Sequence, residues 1–173
     1  MIPRSRSMVP GPRQPAKAVA TWFQRSQRHR PIQQQFDDRR LRVNTAEVVR
    51  ASFGRCDSPA FYDTVYGNFL GKSSEVRRLF ANTDFTRQKV LLRSAVTLMV
   101  RFQLPDPQAQ ELFESVGRTH SRSGYDVDPS LYGLWLDSVL ESVEKHDPQA
   151  CPEIADAWRA YLQDGIDMIV SAY

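Results

Sequence analysis

The residue with the most informative surroundings is His120. In the stretch Leu112 to Tyr132, LFESVGRTHSRSGYDVDPSLY, the apolar or small residues Leu112, Phe113, Val116 and Gly117 precede it by eight, seven, four and three positions. On a helix those spacings share one face, so a neutral imidazole projects among apolar neighbours. Two chemistries fit: a core histidine with one ring nitrogen bonded to a carbonyl, or a ligand to a metal in an apolar cavity. The two cysteines, Cys56 and Cys151, add no ligand pair at a metal-binding spacing, and no Cys-x-x-Cys-His occurs. In a reducing compartment both are thiols.

The elements that must position His120 are helical. Asn44 or Thr45 is expected to cap a helix bearing Val48, Val49 and Phe53, with Gly54 as its stop. Ser58-Pro59 opens a second helix with Phe61, Val65, Phe69 and Leu70 on one side and Gly71 beyond its end. A short turn, Ser74 to Phe80, follows. Asn82 to Asp84 then supplies caps for a long helix bearing Phe85, Leu92, Val96 and Met99 and running to about Gln103. Asp106-Pro107 opens the His120 helix and Asp128-Pro129 the next, which carries Leu131, Tyr132, Trp135, Leu136, Val139 and Val143. Asp suits the free amides of a helix start and Pro the first helical position. Asp147-Pro148 marks a corner, and Cys151-Pro152 begins a last helix with Ile154, Trp158, Tyr161, Gly165, Ile169 and Ala172 along one face. No strand pattern, internal repeat or Gly-rich phosphate loop accompanies them, so the expected body is an all-α bundle of six or seven helices.

Charge divides the chain. Residues 1–42 hold ten Lys and Arg against two Asp, five Pro and the run Gln33 to Gln35, leaving 13 basic and 18 acidic residues in 43–173. The expected organisation is a basic, disordered extension, 1–42, ahead of one folded domain, 43–173, because the extension lacks the apolar residues to offset its ordering entropy. A weak contact with an anionic membrane or nucleic acid is the functional reading of those charges, and a solvated tail the plain one. The longest apolar run, Ala95 to Val100, is too short to span a bilayer and no secretory leader is evident near Met1, so the expected location is cytoplasmic.

Several residues of the body together resemble a globin, in particular the bacterial single-domain haemoglobins related to the haem domain of flavohaemoglobins. Val65-Tyr66-Gly67-Asn68-Phe69-Leu70 followed by Glu75-Val76-Arg77-Arg78-Leu79-Phe80 is similar to the family's tyrosine-bearing second helix and the phenylalanine that ends the next turn. Gln88 with Leu92 is similar to the distal glutamine and its apolar companion, His120 falls at the proximal iron ligand, and Tyr132 and Ala157-Trp158 complete the match over about 45–173.

The resemblance implies a globin fold of six to eight helices around haem b, with His120 on iron and Phe80, Leu92, Val116, Tyr125 and Tyr132 against the cofactor. It makes Tyr66 and Gln88 the catalytic pair, two donors facing a diatomic ligand, O2, NO or CO. It implies reversible gas binding and, as enzyme chemistry, NO dioxygenation to nitrate with a separate reductase or electron donor. The rivals are a haem-based gas sensor that signals through a partner and a cofactor-free helical interaction module. Lys89, Arg93 and Arg122 are the cations expected at the haem propionates. The chain departs from the family in a longer loop after His120 (SRSGYDV), in Ser74 where Pro is frequent, and in Tyr173 where flavohaemoglobins carry a glutamate that bonds the proximal histidine.

Overall fold

The computed structural model describes residues 32–101, 107–171 and 173. These form seven helices and no strand: α1 (Ile32–Cys56), α2 (Pro59–Lys72), α3 (Ser74–Leu79), α4 (Phe85–Arg101), α5 (Pro107–His120), α6 (Leu131–His146) and α7 (Pro152–Val170). The all-α expectation holds among the described residues. None of these helices is long and apolar enough to cross a membrane.

Side-chain caps account for three helix starts. Ser58 caps α2 by accepting from the Phe61 amide, with Pro59 in the first turn. Ser73 accepts from the Glu75 amide at the head of α3, which is a true α-helix where a turn was expected. Asp84 Oδ1 accepts from the amides of Thr86 and Arg87, at 2.9 and 3.3 Å, and so settles the cap of α4. Asp147 ends α6 as a corner, its carboxylate accepting from the Gln149 amide at 2.9 Å.

Three helices differ from expectation in their bounds. α1 starts at Ile32 and runs straight through Asn44 and Thr45 to Cys56, so neither residue is a cap, Gly54 does not end it, and 32–42 belong to a helix. Gln and Arg are good helix formers even without an apolar stripe, no Pro interrupts 32–58, and one Gly costs a helix only about 1 kcal/mol. α2 likewise passes Gly71 to end at Lys72. α6 starts at Leu131 because Asp128 and Pro129 form a turn first, with Asp128 Oδ1 accepting from the Ser130 amide at 2.8 Å. The proposed cap Asp106, the end near Gln103, residues 1–31 and Ala172 lie outside the described residues.

The helices pack with α2 against α6, α1 against α7 and α5 against α7, while α4 and α5 touch only lightly. One core gathers Val49, Phe53, Phe61, Tyr62, Val65, Val139, Trp158 and Leu162, and a smaller one gathers Phe69, Val76 and Leu131. Fully burying a side chain such as Phe61 or Leu162 contributes roughly 1.5–3 kcal/mol. Leu162 and Ile166 are the buried residues of α7 beside Trp158 and Gly165, whereas Ile169 is half-buried.

A polar knot ties α1, the α6 corner and α7. The Trp158 indole donates to Ser52 Oγ at 2.9 Å and Ser52 donates to Asp147 Oδ2 at 2.6 Å. Arg55 clamps the same carboxylate through two nitrogens at 2.6 and 2.7 Å. The Arg55 bond holds the Asp147 carboxyl down at about 2, outweighing burial, with further help from Ser52 and the Gln149 amide. Both cysteines are free thiols: Cys56 is buried and Cys151 exposed.

Candidate functional site

The five buried residues of α2, Phe61, Tyr62, Val65, Tyr66 and Phe69, recur at helical spacing and turn one face inward. The Tyr66 ring lies 5.8 Å from Phe80 and 5.4 Å from Phe85, Phe80 stacks on Phe85 at 6.0 Å, and Phe69 meets Phe80 at 5.9 Å. Burial pushes the Tyr66 phenol up to about 12, against a side-chain hydrogen bond with Gln88 that lowers it. At neutral pH the hydroxyl therefore keeps its proton. Tyr66, Phe80 and Gln88, drawn from three elements, thus meet in one place.

The phase of α4 is fixed by ion pairs on its flank. Lys89 pairs with Asp63, and Arg93 grips Asp57 through two nitrogens at 3.1 and 2.9 Å. The half-buried Gln88 turns toward Tyr66, and its neighbour Lys89 is held outside by α2. Lys89 and Arg93, the cations expected at propionates, are thus each engaged by a carboxylate. Tyr62, one turn before Tyr66, donates to Asp57 at 2.8 Å and so serves the α2–α4 contact. Leu92 packs on the main core beside this cluster.

His120 and its neighbours form a separate group at the end of α5. Phe113 and Gly117 are buried, and Leu112, Val116 and His120 half-buried, while Glu111, Ser115, Arg118 and Thr119 are exposed. His120 Nδ1 stands 2.9 Å from the Val116 carbonyl. A carbonyl only accepts, so Nδ1 carries the hydrogen, and in the neutral imidazole that leaves the lone pair on Nε2. Tyr125 meets the imidazole edge-on at 6.3 Å and Tyr132 lies tilted at 6.5 Å. Tyr132 is half-buried, its phenol pushed up to about 12 by burial, whereas Tyr125 is 70% exposed. The close seat of α5 on α7 comes from Gly165, where a Cβ would stand 2.6 Å from Phe113 Cε1.

Phe85 was expected only as a packing residue of α4, yet it joins Phe80 and Tyr66. Its position three residues before Gln88 puts both on one helix face, which was the available signal.

The donor set suits a metal that brings its own ligands. Among the described residues no group of three His, Cys, Asp or Glu is placed to hold a bare ion. A single imidazole with a free Nε2 is what an iron porphyrin requires, since the macrocycle supplies the in-plane donors. Stacked aromatic rings and a half-buried apolar helix face suit its flat body.

No family model and no curated protein matches the chain, but a solved structure does. It is a Pseudomonas aeruginosa protein described as structurally highly homologous to a human hemoglobin, 39% identical, with a TM-score of 0.70 over 75% of this chain and 98% of that one. The chain belongs to the globins. In this globin α2 and α4 carry the tyrosine and glutamine, and α5 carries the histidine. Tyr173 makes no proximal carboxylate; its hydroxyl donates to Asp126 at 2.7 Å, and Arg122, the third cation expected at a propionate, lies 5.0 Å from the centre of its ring.

Proposed function

We propose that this globin holds haem b, with His120 Nε2 as the iron ligand, and binds O2, NO or CO on the side of Tyr66 and Gln88. The observation that carries the reading is the hydrogen bond from Nδ1 to the Val116 carbonyl, which selects the tautomer able to ligate and aims the ring. The bound haem supplies an iron that takes up diatomic gases and, in NO dioxygenation to nitrate, gives up one electron that a separate reductase must return. Tyr66, protonated and buried, donates a hydrogen bond to a ligand that gathers negative charge, and the Gln88 amide orients the phenol or donates beside it. Phe80 and Phe85 line that side with apolar surface, which limits water around the donors. Free thiols at Cys56 and Cys151 suit a reducing cytoplasm.

The test is spectroscopic. The protein should carry haem that acidified acetone extracts, and His120→Ala should abolish or rearrange the Soret band. An unchanged spectrum with unchanged haem content in that variant would remove His120 from the iron. Purified protein that takes up no haem would favour a cofactor-free module instead.

A further inference from the structure

The loop after His120 folds back over the end of the helix that carries it. The amides of Tyr125, Val127 and Asp126 donate to the carbonyls of Thr119, His120 and Ser121 at 2.9, 3.0 and 3.0 Å, and the Ser121 hydroxyl donates to the Arg118 carbonyl at 2.9 Å. Carbonyls that a helix leaves unpaired at its C-terminus are thus taken by the loop. So tight a return needs Gly124, where a Cβ would stand 2.2 Å from the Thr119 oxygen. It also places Asp126 at a φ of +50°, a left-handed conformation that Asp tolerates better than most residues.

All those bonds are local and would move with α5. Val127 packs on the small core of Phe69, Val76 and Leu131, and a second long-range anchor is Tyr173, which lies 47 residues beyond Asp126 in the chain and donates to its Oδ1 at 2.7 Å. Arg122, from the same loop, packs its guanidinium over the Tyr173 ring. Tyr173 therefore grips the loop twice, by its hydroxyl and by its face.

We infer that Tyr173, through Asp126, is a positioning residue for the proximal histidine: the latch fixes the loop, the loop fixes the last turn of α5, and that turn sets how His120 presents Nε2. This rests on the haem reading above. The latch stands where the resemblance pointed to a glutamate on the histidine itself, so it acts on ring placement and leaves the Nδ1 proton with Val116.

The experiment uses the full-length, haem-loaded protein. Its readouts are the iron–histidine stretching band of the ferrous form by resonance Raman and the rate of haem transfer to excess acceptor apoglobin. Tyr173→Phe, which removes one oxygen, and Asp126→Gly, which tolerates the positive φ, should each shift or broaden the band and speed haem loss about fivefold. Asp126→Asn keeps an acceptor oxygen and should stay within about twofold of wild type, and the double variant should lose haem no faster than either single one. An unmoved band with unchanged haem loss in Tyr173→Phe, or fully additive effects, overturns the latch while the haem reading stands. A wild-type protein that takes up no haem overturns both.

Discussion

Gly165 on α7 and Phe113 on α5 approach so closely that the Phe113 ring occupies the space a Gly165 side chain would need. Glycine inside a helix is unfavourable by about 1 kcal/mol against alanine, so its presence there is explained by the contact. Gly165→Ala should destabilise the fold by about 1–3 kcal/mol despite its better helix propensity, read as a lower urea midpoint. Because Phe113 shares α5 with His120, haem affinity should fall with it. Adding Phe113→Leu to Gly165→Ala should restore part of both losses. A Gly165→Ala protein as stable as wild type would mean that α5 yields freely.

Tyr66 offers a contrast between gases. Losing a hydrogen bond to a partly anionic ligand is worth roughly 1.5–3 kcal/mol, so Tyr66→Phe should speed O2 release about ten- to a hundredfold. CO gathers little negative charge and should respond far less. Equal acceleration of both gases would assign Tyr66 a steric role. Tyr62→Phe should leave gas release unchanged, since that hydroxyl is spent on Asp57.

Asp147 predicts an acid-linked loss of stability. Its carboxyl titrates at about 2 in the fold against an ordinary 3.8, so its contribution is full above 3.8 and is lost as pH falls through about 2. Asp147→Ala strands Arg55 and the Ser52 hydroxyl and should destabilise by about 3 kcal/mol at neutral pH. Measured by urea unfolding, the gap between wild type and Asp147→Ala should narrow as pH falls from 3.8 toward 2. A gap that stays constant over that range would show that the carboxylate charge contributes nothing.

The basic extension can be removed in two steps. A chain starting at Ile32 should match the full chain in haem uptake. One starting at Leu41 should still fold, because Ala46, Val49, Ser52 and Phe53 of α1 remain, but with lower helicity by circular dichroism. If residues 1–42 tether the protein to an anionic surface, the shorter chain should lose binding to acidic vesicles or DNA, and the full chain's binding should fall steeply with salt. Insolubility of the chain starting at Leu41 would show that the head of α1 supports the fold.

What the sequence disclosed was what depends on neighbours in the chain. Ser58-Pro59, Asp147-Pro148 and Cys151-Pro152 mark corners because caps and proline act within a few residues, and the apolar face of α5 follows from its period. The start of α1 was hidden because Gln- and Arg-rich sequence reads as a tail, although those residues favour helix wherever one is already nucleated. Lys89 and Arg93 looked available because nothing local reveals that Asp63 of α2 and Asp57 of the turn before it wait across the fold. Gly165 beneath Phe113 and Tyr173 on Asp126 are likewise pairings across the fold, which spacing along one segment does not encode.

The two thiols differ in a way that makes the protein its own stopwatch. Cys151 is exposed, whereas Cys56 is sealed in the core with its thiol pushed up to about 12 by burial, so almost none of it is thiolate at neutral pH. An alkylating reagent should therefore consume one equivalent at once and a second only when the α1–α7 contact opens. The rate of that second event counts openings of the native molecule without denaturant, and haem should slow it in proportion to how firmly the loaded state is held.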